Sequence, residues 1–125
     1  HLEIIRALYQ DFAEDDIVAG DYFAPMVDTY YLVHNLTPAE VDAYYEKDRK
    51  NFTVPRKTLL GATFAYSNTK EGHRAVMFWS DYTCFRNDKQ KRQTCRVQTE
   101  IIFDNQNRIV SLNDLKIENL KYTSE

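Results

Sequence analysis

Between Phe78 and Asp104 the chain reads FWSDYTCFRNDKQKRQTCRVQTEIIFD, two long runs of strand-forming residues around a polar break. β-branched and aromatic residues dominate both runs, and Asn87, Asp88, Lys89 and Gln90 supply turn chemistry between them. The pattern predicts a long antiparallel hairpin, whose side chains must alternate between two faces. A turn centred between Lys89 and Gln90 sets Cys84 opposite Cys95, Tyr82 opposite Val97, Ser80 opposite Thr99, Phe78 opposite Ile101 and Val76 opposite Phe103. The other face then carries Met77 with Ile102, Trp79 with Glu100, Asp81 with Gln98, Thr83 with Arg96 and Phe85 with Thr94. A slip of one residue mixes the two sets, so the aligned register is the expectation. A second hairpin through the DNQN segment places Val110 beside Ile101 and Leu112 beside Thr99, continuing the apolar face.

Two cysteines cannot supply the three or four ligands of a zinc site, and His1, His34 and His73 have no ligand spacing with them. Their separation is also not that of a C-x-x-C redox motif. Buried thiols and a cross-strand disulfide both remain open, since directly opposed strand residues meet the geometry of a bridge. No metal and no cofactor is expected.

Upstream, Leu2, Ile5, Leu8, Tyr9 and Phe12 recur at helical spacing and predict a helix over residues 2–13. Asp15 or Asp16 is placed to cap a short second helix through Tyr22, before Pro25. The run MVDTYYLV, residues 26–33, reads as one strand. Thr37, Pro38 and Glu40 form a strong helix start, and Val41, Tyr44, Tyr45 and Phe52 give that helix its apolar stripe, ended by Pro55. From there the chain reads as strands with turns near SNTKEG, NDKQ and DNQN. The 125 residues suit a single domain with a real core. The net charge of −3 argues against a general nucleic-acid binder, and the basic run at 89–92 sits at a hairpin tip. No apolar run is long enough to span a bilayer. A start at His1 rather than Met is the expectation for a processed product or for part of a larger or exported polypeptide. Asn35 and Asn51 begin N-x-[ST] sequons, meaningful only in a secreted eukaryotic protein.

The order of elements, the segment DYFAPMVDTYY where the second helix meets the first strand, and IIFDNQNRIVSL as the last hairpin together resemble the nuclear-transport-factor-2-like superfamily. The resemblance implies an α+β cone, a cystatin-like fold, in which a curved antiparallel sheet wraps around N-terminal helices in the order α-α-β-α-β-β-β-β across residues 1–125. It includes ketosteroid-isomerase-like enzymes. Their general-base Asp corresponds here to Tyr31 or its neighbourhood, and a tyrosine is a poor base at neutral pH. Tyr9 matches the isomerase's helix tyrosine in place, but the partner acid has no match among Ser80, Tyr82, Val97 and Thr99. Asp28 and His34, six residues apart on one strand, stand about 20 Å from each other and cannot form a dyad.

These readings favour a non-catalytic accessory domain for ligand binding or protein interaction. The alternative is a small-molecule isomerase, dehydratase or cyclase using the cone pocket. The discriminating feature is an ionisable group inside the cone. A pocket for a small apolar ligand is expected near Ser80, Tyr82 and Thr99, with Tyr31 at its edge, because small polar residues among large apolar ones leave space and hydrogen bonds. Tyr30, Tyr31, Tyr44 and Tyr45 are expected as core and rim aromatics rather than an aromatic cage. Met77, Trp79, Phe85 and Ile102 on the outer face predict a contact surface, for a homodimer or a neighbouring domain, centred on Trp79.

Overall fold

The spacing of Ile5, Leu8, Tyr9 and Phe12 winds the start of the chain into α1 (Leu2–Glu14) in the computed structural model, which describes residues 1–124. Ile5 and Leu8 are fully buried against Phe23, Phe78, Ile101 and Leu112 in the central core. The expected helix from Asp15 or Asp16 does not form. Asp15 instead takes a left-handed conformation (φ 55°) and closes α1, and the Asp16 N–H donates to the Asp11 carbonyl at 2.9 Å. Only a single 3-10 turn follows at Ala19–Asp21, its first N–H satisfied by the Asp42 carboxylate at 2.9 Å.

Residues 26–33 are not one strand but the start of a tight hairpin, β1 (Val27–Tyr30) and β2 (Val33–Leu36). Tyr31 and Leu32 form its turn with φ of 46° and 69°. Two successive left-handed residues match the twist of antiparallel strands, but Asn and Gly are the usual occupants. Here neighbouring groups hold the turn from outside. The Tyr31 N–H donates to the Leu112 carbonyl at 2.9 Å and the Leu32 N–H to Asn113 Oδ1 at 2.8 Å.

α2 (Pro38–Arg49) begins as its sequence predicts, with a reciprocal capping box between Thr37 and Glu40 and Pro38 in the first turn. Its last turn is tied to the end of α1. Arg49 Nη1 donates to the Phe12 carbonyl at 2.8 Å, and the Tyr45 hydroxyl donates to Asp15 Oδ1 at 2.9 Å. A cation at the Phe12 carbonyl, in the last turn of α1, complements the negative end of that helix.

The rest of the chain is β3 (Phe52–Leu59), β4 (Ala65–Asn68), β5 (Arg74–Arg86), β6 (Lys91–Phe103) and β7 (Ile109–Thr123). One seven-stranded sheet runs β2-β1-β7-β6-β5-β3, with β4 also on β5. Only β1 and β7 are parallel, at Thr29–Ser111 and Tyr30–Leu112. The architecture is the expected α+β one, a curved sheet around the helices. Pro55 does not terminate α2 from outside the sheet. It lies within β3 beside a bulge, where Thr53 pairs with Phe85 but Arg56 with Thr83, and Val54 takes φ 47°. A bulge is one of the few places a strand accepts proline.

The long hairpin has its faces as expected and its register shifted by two residues. Arg86 pairs with Lys91, so the turn is Asn87–Gln90, closed by a bidentate Arg86–Asp88 pair (2.9 and 2.6 Å) and by Gln90 at φ 52°. Cys84 therefore pairs with Gln93 and Cys95 with Tyr82. The two thiols are free, buried and diagonal to each other on one face, not directly opposed. The next hairpin shifts likewise, placing Leu112 opposite Ile101 and Asp114 opposite Thr99. A two-residue shift leaves every side chain on its original face.

Leu32 is 75% exposed in a conformation that costs a β-carbon-bearing residue about 1–2 kcal/mol. Leu32→Gly should raise stability by about 1 kcal/mol after glycine's larger loss of chain entropy. A urea midpoint equal to or below that of the unsubstituted protein would show that the turn is not strained.

Candidate functional site

α1 stops at Glu14 while β5, β6 and β7 run on past it, and a cavity of about 380 Å³ opens in the uncovered end of the cone. Its wall is largely aromatic. Tyr9 and Phe12 reach it from α1, Tyr30 and Tyr31 from the β1–β2 turn, Tyr45 from α2 and Tyr82 from β5. These rings support one another, Tyr30 meeting Tyr31 edge-on at 4.7 Å and Phe12 lying 5.2 Å from Tyr45. Such contacts lock rings in place and leave a rigid apolar surface with polar tips.

Four charged side chains border this space: Asp48 and Arg49 from the end of α2, and Asp114 and Lys57 from the sheet. Asp114, from β7, accepts a hydrogen bond from Thr99 Oγ1 at 2.9 Å. Lys57, from β3, places Nζ 4.5 Å from the centre of the Tyr9 ring and 5.4 Å from that of Tyr82. Burial draws the Lys57 ammonium below the ordinary lysine range, while Asp114 and Cys95 pull it back up. The phenols move the other way. Burial, then Asp114, holds Tyr9 and Tyr31 well above their ordinary value, and burial is also the leading cause for Tyr30 and Tyr82. Tyr31 keeps 37% of its surface accessible, because the wall it forms is open to solvent through the cavity. All four tyrosines are therefore hydrogen-bond donors at neutral pH, not bases.

Of the four residues the sequence places at a pocket, Tyr31 and Tyr82 line it. Ser80 and Thr99 are wholly buried and stand behind the wall. Among the described residues Ser80 Oγ has no partner, and neither has the Tyr9 hydroxyl, which lies near Thr99 without a well-formed hydrogen bond. Thr99 serves the site indirectly by holding Asp114. Asp28 and His34 are not separated along a single strand as expected. The hairpin folds them onto neighbouring strands, Thr29 pairing with His34, but both are exposed and outside the cavity. On the outer face Met77, Trp79, Phe85 and Ile102 are each half-buried. The Trp79 N–H is taken by Thr63 Oγ1 at 2.9 Å, where the chain crosses from β3 to β4.

Asp114 and Lys57 are the residues that sequence reasoning missed. Asp114 follows Leu112 by two and so shares its face, a signal present in the alternation of β7. Lys57 shares a face with Leu59 by the same count, but counting forward from Phe52 puts Arg56 there instead. The bulge at Val54 and Pro55 makes the difference, since one extra residue exchanges the faces. Among the described residues one acidic cluster lies elsewhere. Asp11, Glu14 and Asp16 bring carboxylates within 4.8 Å, but two of the three are exposed and Asp11 already accepts from the Tyr22 hydroxyl. It has the character of a solvated helix end.

No protein-family model and no curated protein matches the chain. Solved structures do. Aln2 from a Streptomyces species superposes with a TM-score of 0.63 at 12% identity, covering 92% of this chain and 86% of that one. A protein provisionally named an aromatic ring hydroxylase, from Novosphingobium aromaticivorans, gives 0.64 at 12% identity, covering 96% and 91%. ActVI-ORFA from Streptomyces coelicolor gives 0.58 at 14%, covering 97% and 92%. The likeness is one of fold: an α+β cone with a curved sheet around the helices, the architecture that the resemblance implies.

Two measurements check this description. Ser80→Ala removes a buried hydroxyl that has no partner, so stability should stay level or rise by up to about 1 kcal/mol, whereas Thr99→Val should lower it by releasing Asp114. A clear loss on Ser80→Ala would mean that Ser80 is bonded. On the alkaline side, a phenol whose folded-state pKa is raised contributes stability that is complete below about pH 10 and fades above it. Tyr9 and Tyr30, both buried, should thus ionise only together with unfolding, and tyrosinate absorbance should show a cooperative step there. Smooth titration of all nine tyrosines in a folded protein would contradict their burial.

Proposed function

We propose that this domain binds a small aromatic or aryl-ketone molecule in its cone and moves a proton on it, with Asp114 as the base. The observation that carries this reading is Asp114 itself. Its carboxylate lines a tyrosine-walled cavity, oriented by Thr99, and no arginine pairs with it among the described residues. A cavity of about 380 Å³ is within the range of small-molecule sites, which combine apolar walls with a few convergent polar groups. The name of the Novosphingobium aromaticivorans protein supports an aromatic ligand for a cone of this shape.

The chemistry follows from the two kinds of oxygen present. Asp114 accepts a proton from an acidic C–H or O–H of the ligand. The tyrosines keep their own protons and donate hydrogen bonds to the oxygen on which negative charge develops. Isomerisation, dehydration and ring closure by aldol-type attack all begin with that step. A carboxylate set among tyrosines favours this reading over an accessory domain that only binds.

Deuterium exchange tests the reading directly. With 2-tetralone in heavy water, the protein should accelerate loss of the α-proton signal by NMR. Asp114→Asn should lower that acceleration by about 100-fold or more while saturable binding persists. Equal exchange by the two proteins would remove Asp114 from the role of base. Absence of saturable binding by any aryl ketone or phenol would remove the pocket reading altogether.

A further inference from the structure

We propose that Lys57 is a carbonyl-capturing residue: its amine condenses with an aldehyde or ketone held in the cone to form an imine. The inference rests on the pocket reading above but not on Asp114 acting as base.

Lys57 differs from every other lysine in the chain. Of the eight, Lys47, Lys50, Lys70, Lys89, Lys91, Lys116 and Lys121 are exposed, and Lys57 alone is drawn inward. It lines the cavity. Among the described residues no carboxylate lies within 4.0 Å of Nζ and no acceptor takes its hydrogens. What faces it is Tyr9 from α1, Tyr82 from β5, Cys95 from β6 and Asp114 from β7. A buried ammonium normally has a bonded counter-ion, because an unpaired one is expensive. The two rings offset part of that cost for the cation, but burial still moves the group toward the free amine. An amine that lines a cavity, has no bonded counter-ion and is drawn toward its free form is suited to adding to carbonyls.

The step balances without any oxidant or reductant. The ammonium first gives a proton to Asp114 or to solvent. The nitrogen lone pair then attacks the carbonyl carbon, a C–N bond forms, and the carbonyl oxygen takes up a proton to give a carbinolamine. Loss of that hydroxyl as water leaves C=N, with one water released per imine formed. Once protonated, the imine withdraws electrons from the adjacent carbon, so a proton there becomes easier to remove. Capture by Lys57 and proton removal by Asp114 would thereby serve one reaction from two sides of the same cavity.

The test uses 2-naphthaldehyde with sodium cyanoborohydride, which reduces an imine to a stable secondary amine. Intact mass and peptide mapping of the full chain should show one adduct, at Lys57, at least tenfold above the labelling of any other lysine. Urea-unfolded protein should lose that preference and label its eight lysines evenly. Lys57→Arg should abolish the adduct while still binding the aldehyde non-covalently, read by displacement of a fluorescent aromatic probe. Labelling spread evenly over the lysines of the folded protein, or unchanged labelling of Lys57→Arg, would overturn the inference. Saturable binding to the unsubstituted protein with no Lys57 adduct would overturn imine formation and leave the pocket reading intact. No saturable binding at all would overturn both.

Discussion

The pocket exists because two kinds of element have different lengths per residue. α1 has 13 residues and rises about 1.5 Å for each, so it covers about 20 Å. β5 and β6 also have 13 residues each but extend about 3.3 Å per residue, so they run to about 43 Å. A helix cannot fill a sheet twice its length. Where α1 lies, the inner face is a dry core of Phe78, Ile101, Phe103 and Leu112, each with no accessible surface. Where α1 has ended, the same strands curl around open space. The anchoring of Tyr45 and Arg49 to the last carbonyls of α1 fixes where that boundary falls.

The material that borders the space reflects the same boundary. Aliphatic side chains exposed at an open cavity gain little from burial, and a carboxylate there needs partners. Tyrosine resolves both demands, with a ring that packs on its neighbours and a hydroxyl that can face the opening. Asp114 and Lys57 fit this wall only through indirect support. Thr99 reaches Asp114 from behind, and the faces of Tyr9 and Tyr82 receive the Lys57 ammonium. Neither ion is neutralised by the other at contact distance. Two opposite charges held apart in one low-dielectric cavity leave each with unspent hydrogen-bonding capacity, and that capacity is available to a ligand.

How far the sequence revealed this depends on whether period-two counting survives. In β5 and β6 it does, and the inner and outer faces of the hairpin were legible although the register was not. The arms could slide by two without moving a single side chain to the other face, so Cys84 and Cys95 remain on one face but no longer oppose each other. The turn was the only local signal that could separate the two registers, and four polar residues allow either centre. The tight β1–β2 turn was not legible at all. Tyr31 and Leu32 carry no turn chemistry, and they are held left-handed by groups of β7 some eighty residues away. Propensity reads local preference, and here a tertiary contact overrides it.

The two ions that the sheet brings to the cavity show where such counting fails and what the failure accomplishes. Each lies next to a bulge. On β3 the extra residue near Val54 and Pro55 lets Phe52 and Lys57 both face inward although they are five apart. On β7 the pairing changes between Thr99–Asp114 and Gln98–Lys116, and Asp114 and Ile117, three apart, both face inward. An unbroken β3 in phase with Phe52 would have turned Arg56 into the cavity and Lys57 to solvent. An unbroken β7 in phase with Asp114 would have brought Lys116 into the wall in place of Ile117. That would add a further charge to the part of the wall that the sheet supplies. From the sheet the bulges thus admit one acid and one amine, and they give the position that Lys116 would take to apolar Ile117. Irregular pairing bends strands toward closure of the cone, and at the same positions it chooses which ions the cone contains.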